Sequence, residues 1–470
     1  MDLEKNVKNF FEFESKNTLF KNKINHVSYW DIIRYDVFTE LQNQILGDNK
    51  PYIYNKKSFV EKSLSSSLAF FRFLYQCLRF IISFFSFALL RKKYDIVFYA
   101  TGGRKVIDNI SINPYCFFQL KELAKSKKIL VIETDLNFDR SFQKIGCDYI
   151  CIPWIIMRII SLFKYLNKKE RNEIANLQSL LNKSFNYVLD VKSIVKNNFS
   201  PQSLLNSIIK IILKISDPDL TVLTNNGYSK FFLKASRELG IPVIELQHGD
   251  TSEFDLVTSY PKITDGEYWV ANRVFTFGDF WHDRYNFDSK IVSIGNPIFD
   301  KYTKKFNLNG NKEKSVLCIS VNSVNFARLI FNASKMDHSV RFYFKLRDSE
   351  FKNWKQNYPF LSNTENFTII DNNHRHLYFY VQICNYVVTT ISTVIYEALS
   401  QTTSVIVVKD EFFSLVKRLE TIGLIKVAKS EKDIIRLIKV DSAPPKVKKN
   451  FFYKPNSLVN LVREIDNILK

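Results

Sequence analysis

Glycine is scarce in this chain, with 12 residues in 470. Each Gly cluster therefore marks a place where a particular backbone shape is needed. Neither GxGxxG nor a Walker-type run is present, so the two common glycine phosphate loops are excluded as motifs. Cys77, Cys116, Cys147, Cys151, Cys318 and Cys384 include no CxxC pair, and most sit inside apolar runs. They read as small core residues in a reducing compartment, and no zinc site is expected. No secretory signal opens the sequence: Met-Asp-Leu-Glu-Lys starts a charged, helix-like stretch. Internal repeats and low-complexity tracts are also missing.

Positive charge and phenylalanine are abundant. The chain holds 67 Lys and Arg against 47 Asp and Glu, a net charge of +20, and 42 Phe. Such a balance suits an anionic partner: nucleic acid, an acidic membrane surface or a phosphorylated substrate. Solvated lysines account for the same number. A nucleic-acid binder would interleave Lys and Arg with aromatics along one element; here the lysines are spread throughout. At 470 residues, two domains are expected.

Leu68 to Leu90 is long enough to span a bilayer. Arg72, Gln76 and Arg79 interrupt it, which disfavours a span. They recur at helical spacing and leave a broad Phe/Leu/Ile face, which fits an interfacial helix on an anionic membrane. A helix packed on its own domain fits equally.

Residues 1 to about 92 read as helices, with a loop near Gly47-Asp-Asn-Lys-Pro51. Buried strands are expected at Asp95–Ala100, Lys128–Glu133, Leu220–Thr224, Ile241–Leu246, Val274–Phe277 and from Ile291, because short apolar runs bounded by Gly, Pro or Asn have that signature. Residues 155–215 and 228–239 read as helical. At Ile294-Gly-Asn-Pro297 the strand is expected to end in an exit or hinge loop, since proline bars helix continuation. Lys301 to Lys314 is the best linker. Beyond it strands are expected at Val316–Val321, Val340–Leu346, Phe367–Ile370, Tyr386–Thr389 and Ser404–Val408, then a final helix from about 456. Alternation in both halves predicts two parallel-sheet α/β domains. The divisions are a helical extension over 1–92, an α/β domain over 93–300, a second over 301–450 and a C-terminal helix over 451–470.

Polar residues at the carboxyl ends of these strands are the site candidates, because that edge is where open α/β sheets bind ligands. The strongest is Gln247-His248-Gly249-Asp250 after the Ile241 run. His248, Asp250, Glu253 and Asp255 lie within reach in sequence, and a general base needs an imidazole or carboxylate near an acceptor hydroxyl. A structural His bonded to backbone is the competing role. The next is Thr389-Thr390-Ile-Ser392-Thr393 with Glu397: hydroxyls at a helix start can bind phosphate, and Glu397 can reach ribose hydroxyls. Plain capping explains the same pattern. Lys345 and Arg347 can neutralise a diphosphate or carboxylate. Gly102, Gly103 and Arg104 form a weak glycine-rich anion loop. His374 and His376 lack a partner at metal-ligand spacing and read as loop residues.

With these pieces in place, the chain resembles the bacterial GT-B glycosyltransferases of capsule and lipopolysaccharide assembly, the group that includes Kdo, sialic-acid-type and glycerophosphate-type transferases. The resemblance is carried by Gly240-Ile-Pro-Val-Ile-Glu-Leu-Gln-His-Gly249, Ile294-Gly-Asn-Pro297, Lys345-Leu-Arg347 and Ser392-Thr-Val-Ile-Tyr-Glu-Ala398. The first 90 residues match only loosely, through Tyr29-Trp30-Asp31-Ile-Ile-Arg34. The resemblance implies two Rossmann-like domains facing a cleft. The donor nucleotide would sit mainly on the C-terminal one. Thr390, Ser392 and Thr393 would hold donor phosphate, Glu397 the ribose, and Gln247, His248 and Gly249 would line the cleft. It also implies catalysis without a metal or other cofactor. The chain departs from the family in one place: relatives carry Lys-Leu-His-Pro where this chain has Lys345-Leu346-Arg347-Asp348. Arg347 can substitute for that His, or the donor differs.

The expected function is transfer of a sugar from a nucleotide-activated donor to a surface glycan or lipid-linked acceptor, retaining or inverting, with His248 or Asp250 as base if the enzyme inverts. The first donor considered is a CMP-activated ulosonic acid, then a UDP- or GDP-sugar. The expected location is cytoplasmic, peripheral at the inner face of the cell membrane. A nucleotide-sugar epimerase, a non-catalytic polysaccharide assembly partner and a basic nucleic-acid-binding protein are the alternatives.

Overall fold

The computed structural model describes residues 3–24, 27–46, 67–101, 103, 105–107, 110–134, 141–153, 157, 166–227, 229–262, 266–305, 314–440 and 443–470. The chain divides into two units. The first holds Lys8–Thr276, His282–Ile294 and Ser457–Lys470; the second holds Met1–Val7, Phe277–Trp281 and Gly295–Asn456.

In the first unit, β1 (Lys23–Ile24) and β2 (Val27–Ser28) form a small antiparallel hairpin. The main sheet is built from β3 (Ile96–Ala100), β6 (Ile129–Glu133), β7 (Asp148–Cys151), β8 (Leu220–Leu223), β9 (Val243–Leu246), β10 (Arg273–Thr276) and β11 (Lys290–Ser293). A second small hairpin, β4 (Lys105–Ile107) with β5 (Ile110–Ile112), lies between the first two in sequence. The seven strands are all parallel in the order β11-β10-β9-β8-β3-β6-β7.

The apolar runs form strands here because both faces are covered. On one face Ile96, Phe98, Leu220, Val222, Ile244 and Leu246 meet Cys116, Leu120, Leu461 and Ile465. On the other, Tyr99 stacks on Phe232 with ring centroids 5.1 Å apart. From Lys8 on, the described N-terminal helices belong to this unit. Phe10 packs on Trp30, Phe38 and Phe185, and Phe10, Phe13, Phe20 and Phe38 are buried.

In the second unit, β12 (Ser315–Ile319), β13 (Arg341–Lys345), β14 (Phe367–Ile370), β15 (Tyr386–Thr389), β16 (Ser404–Val408) and β17 (Lys426–Ala428) form a six-stranded sheet. All are parallel, in the order β14-β13-β12-β15-β16-β17. Both sheets are therefore doubly wound and Rossmann-like, as the alternation of elements led one to expect. Each reverses its winding next to its first strand: between β3 and β8 in the first unit, and between β12 and β15 in the second. Those switch points are where such sheets bind ligands.

One local expectation is corrected. The exit loop after β11 is confined to 294–296, because Pro297 does not bar a helix but begins one, Pro297–Lys305. Proline suits the first helical position, where its missing N–H has no partner to lose. Asn296 caps it, its Oδ1 accepting from Ile298 N at 2.9 Å and Phe299 N at 3.2 Å. The loop expected at 47–51 and most of the expected linker, 306–313, lie outside the described residues. Among the described residues, no helix is long and apolar enough to cross a membrane.

Candidate functional site

The first unit gathers polar side chains where β3, β8 and β9 end. Thr101 and Thr224 bridge the switch point, their hydroxyls 2.8 Å apart, and Thr101 N donates to Thr224 Oγ1 at 3.1 Å. After β8, Asn225 Nδ2 lies 3.3 Å from His248 Nε2. Tyr115 sets its ring edge-on to the same imidazole at 5.8 Å. Burial drives the His248 pKa down to about 4, so the ring is neutral at physiological pH. A neutral imidazole can take a proton from a hydroxyl, though one held this low is a weak base.

Gln247 is buried and turns back to donate from Nε2 to Gly249 O at 2.8 Å. That bond fixes the tight turn presenting His248 and Asp250, both half-buried. Of the other sequence candidates, Glu253 pairs with Arg284. Asp255 accepts from Val257 N at 3.0 Å, and burial lifts its pKa to about 6. Gly103 is exposed with open space where a Cβ would stand. Gly102 and Arg104 lie outside the described residues.

Glu245 was not foreseen as part of this site. It occupies the third position of β9 and is 2% exposed. Its Oε1 accepts from Asn226 N at 3.2 Å, while Oε2 has no protein partner. Both amide atoms of Asn226 and the Ser229 hydroxyl, all buried, are likewise unpartnered. Burial raises the Glu245 pKa to about 7, further supported by Asp255 and opposed by the Asn226 amide and Lys230. The sequence signal was one carboxylate inside an otherwise apolar strand.

Behind it lies a buried ionic clamp from the loosely matching N-terminal segment. Arg34 Nε and Nη2 donate to the two carboxylate oxygens of Glu14, each at 2.7 Å. Arg34 Nη1 donates to the carbonyls of Leu256 and Ser259, and Trp30 Nε1 to Glu14 at 2.8 Å. Asp31 accepts from Tyr260 Oη and Trp269 N, both at 2.9 Å, and pairs with Lys230 at 3.4 Å. The clamp therefore pins the loop following Asp250.

In the second unit the edge is basic and hydroxyl-rich. Lys345, the last residue of β13, is buried and donates to Asn373 Oδ1 at 2.9 Å and to Leu346 O at 3.2 Å. Burial lowers its pKa to about 8, against the pull of Asp348, Asp371 and Glu350. Arg347 is exposed at its tip but anchored, its Nε donating to Ser320 O at 3.0 Å. Glu350 locks the turn: it accepts from Arg347 N at 2.7 Å, Ser320 Oγ at 2.8 Å and the Tyr358 hydroxyl.

Across the switch point, Thr390 is buried and its hydroxyl bonds Asp410, whose pKa burial pushes up to about 6. Ser392 and Thr393 are half-buried. Ser392 Oγ accepts from Val394 N at 3.3 Å, while Thr393 precedes helix Val394–Ser400 without a side-chain cap bond. That helix has only seven residues, so its dipole is small. Hydroxyls and cations, rather than the helix end, are the groups this edge could offer to an anion. Glu397 accepts from the buried Tyr378 hydroxyl. His376 is the last residue of its loop, where it caps helix Leu377–Ile383 and stacks on Tyr302 at 3.7 Å. The described residues contain no cluster of His, Cys, Asp and Glu arranged to hold a metal ion.

Solved structures similar to this chain include UDP-GlcNAc 2-epimerase from Methanocaldococcus jannaschii in complex with UDP-GlcNAc and UDP, at 13% identity and TM-score 0.48, covering 79% of this chain and 99% of that one. A putative UDP-N-acetylglucosamine 2-epimerase from Listeria monocytogenes is similar at 10% identity and TM-score 0.49, covering 79% and 96%. MurG from Acinetobacter baumannii is similar at 12% identity and TM-score 0.46, covering 79% and 99%. No protein-family model matches the chain, and no curated protein matches it. At these TM-scores the likeness carries no functional inference.

Proposed function

We propose that this protein is a glycosyltransferase of surface polysaccharide assembly. It moves a sugar from a nucleotide-activated donor, first a CMP-ulosonic acid and otherwise a UDP- or GDP-sugar, to a glycan or lipid-linked acceptor. The observation that carries the reading is the division of chemistry between the two switch points. The second unit's edge is cationic and hydroxyl-bearing, with Lys345, Arg347, Thr390, Ser392 and Thr393. The first unit's edge carries a neutral imidazole beside carboxyl groups, with His248, Asp250 and Glu245.

In this reading the second unit binds the donor. Lys345 and Arg347 face phosphate oxygens, and Arg347 takes over the part of the His found in the resembling enzymes. Ser392, having accepted from Val394 N, keeps its own O–H proton for a phosphate oxygen. Glu397 receives the ribose hydroxyls. The acceptor oxygen attacks the anomeric carbon while the bond from that carbon to phosphate oxygen breaks. The nucleotide leaves with the electron pair, and the acceptor proton passes to His248 or Asp250. Charge grows on the leaving phosphate, where fixed cations and hydroxyls stabilise it without a metal. Gln247 and Gly249 shape the turn that carries His248 and Asp250. Gly102, Gly103 and Arg104 are assigned to the acceptor side.

The test is a thermal-shift series with CMP, CDP, UDP, GDP and ADP in metal-free buffer. Binding to the folded state raises the melting temperature by mass action. One nucleotide should shift the wild type, and Ser392→Ala/Thr393→Ala and Lys345→Ala should each weaken its binding about tenfold, the loss of a charge-assisted contact or two. No shift with any nucleotide overturns the reading. A second reading, a nucleotide-sugar epimerase, is favoured by the raised pKa values of Glu245 and Asp255, which suit proton removal and return at carbon. Incubating the donor without acceptor separates the two: an epimer is formed only under the second.

A further inference from the structure

Over Tyr75–Leu89, helix Ser67–Leu90 buries Phe87 against the first unit and exposes apolar side chains on the opposite side. Phe87 is buried with its ring 6.3 Å from Tyr94, and Phe80 and Phe84 lie on that same side. At about 100° per residue, Tyr75, Leu78, Ile81, Ile82, Phe85 and Leu89 fall within an arc of roughly 120° on the opposite side. Their exposures are 58%, 56%, 48%, 56%, 61% and 83%. A continuous apolar face of this size on a folded protein marks an interaction surface.

Charge decides what covers it. From 67 to 93 the sequence has five basic residues, Arg72, Arg79, Arg91, Lys92 and Lys93, and no Asp or Glu. Two copies paired along this face would bring like charges together, whereas helix seams use opposite charges on their flanks. An anionic lipid surface attracts the same residues, each adding about 1 kcal/mol near the headgroups. Lys92 and Lys93 do pair with Asp148, Asp217 and Asp219 at 3.2–3.6 Å, but these pairs are about half exposed or more and weak in water. No described helix qualifies as a span, so the apolar arc suits lying in the interface rather than crossing it.

We propose that helix Ser67–Leu90 lies in the surface of an anionic membrane, with the Tyr75–Leu89 arc in the acyl boundary and Arg91-Lys92-Lys93 among the headgroups. The proposal rests on this face alone and is independent of the transfer reaction.

The test is co-sedimentation of the full chain with phosphatidylcholine vesicles, with and without phosphatidylglycerol. Binding should require phosphatidylglycerol. Ile82→Glu/Phe85→Glu should weaken it at least about tenfold, and Arg91→Glu/Lys92→Glu/Lys93→Glu by a similar factor, with the thermal transition unchanged because every altered side chain is exposed. Separately, Phe85→Trp should show a blue-shifted emission on adding vesicles and be quenched by brominated acyl chains. Full binding by the Ile82→Glu/Phe85→Glu variant overturns the proposal. So does a dimer in light scattering that this variant converts to monomer without any vesicle binding, since a second copy then covers the face.

Discussion

At the scale of single residues, the first unit concentrates its cost in one buried polar region. Glu14, Asp31, Arg34, Lys230, Glu245 and Asn226 are each no more than 3% exposed. Most of them are partnered: Arg34 and Glu14 satisfy one another twice, and Asp31 has two hydrogen-bond donors besides Lys230. Glu245 is only half satisfied, and its titration gives a signed prediction. The unfolded carboxyl releases its proton near 4.5, while the folded one keeps it to about 7. Between those values the unfolded state binds fewer protons, so stability falls as pH rises. Asp255, raised to about 6, has the same sign. His248, lowered to about 4, has the opposite sign: its neutral form favours folding, and stability rises between about 4 and its ordinary value near 6.5. Glu245→Gln keeps an acceptor for Asn226 N and removes the first of these slopes. The variant should gain stability above pH 7, roughly 3 kcal/mol before relaxation is counted, and none at pH 4. Urea unfolding across pH 4–8 measures this, and an unchanged difference from wild type across the range would show that Glu245 ionises normally in the fold.

At the scale of elements, capping explains what the sequence reading missed at Pro297. The Asn296 side chain satisfies two N–H groups that the helix cannot. Asn296→Ala should destabilise the second unit by about 1 kcal/mol, and Asn296→Asp by much less. Hydrogen exchange on helix Pro297–Lys305 is the direct readout, and equal protection in the alanine variant would assign the helix start to proline alone. The central strands Tyr386–Thr389 and Ser404–Val408, and also the edge strand Phe367–Ile370, match their apolar runs end to end. Two other edge strands were not legible. Asp148–Cys151 opens on an exposed aspartate, and Lys426–Ala428 has three residues. An edge strand is covered less, so its run is shorter and more polar. The site divides in the same way. Gln247, His248, Lys345 and Ser392 stand at strand ends, where a one-dimensional reading can see them. Asn225, Tyr115 and the Glu14–Arg34 clamp join the site through contacts 20 or more residues apart, and no local pattern reports those.

At the scale of the whole molecule, the chain leaves each unit and returns. After β10 it enters the second unit over Phe277–Trp281, returns for His282–Ile294, leaves again at Gly295, and gives its last helix, Ser457–Leu469, back to the first. Gly278 shows how tightly one passage is set: a Cβ there would stand 2.5 Å from Phe451 O and Phe452 C. The last helix completes the first unit's core although some 160 residues of the second precede it. Leu461 and Ile465 are 1% and 0% exposed among residues of β3, β6, β8 and β9. Asn460 Nδ2 donates to Ile294 O at 3.0 Å, and Lys127 pairs with Asp466 at 2.8 Å. A first unit lacking this contribution has an open face on its main sheet. Leu461→Ala and Ile465→Ala should each cost about 2–5 kcal/mol, the usual range for large-to-small changes in a packed core. The loss belongs to the first unit, so hydrogen exchange should quicken in Ile96–Ala100 and Ile129–Glu133 while Ser315–Ile319 and Tyr386–Thr389 keep their protection. Equal loss in both sheets would mean that the units unfold as one. Loss in neither would mean that the last helix docks without stabilising the sheet, and the two residues' burial would then need another cause.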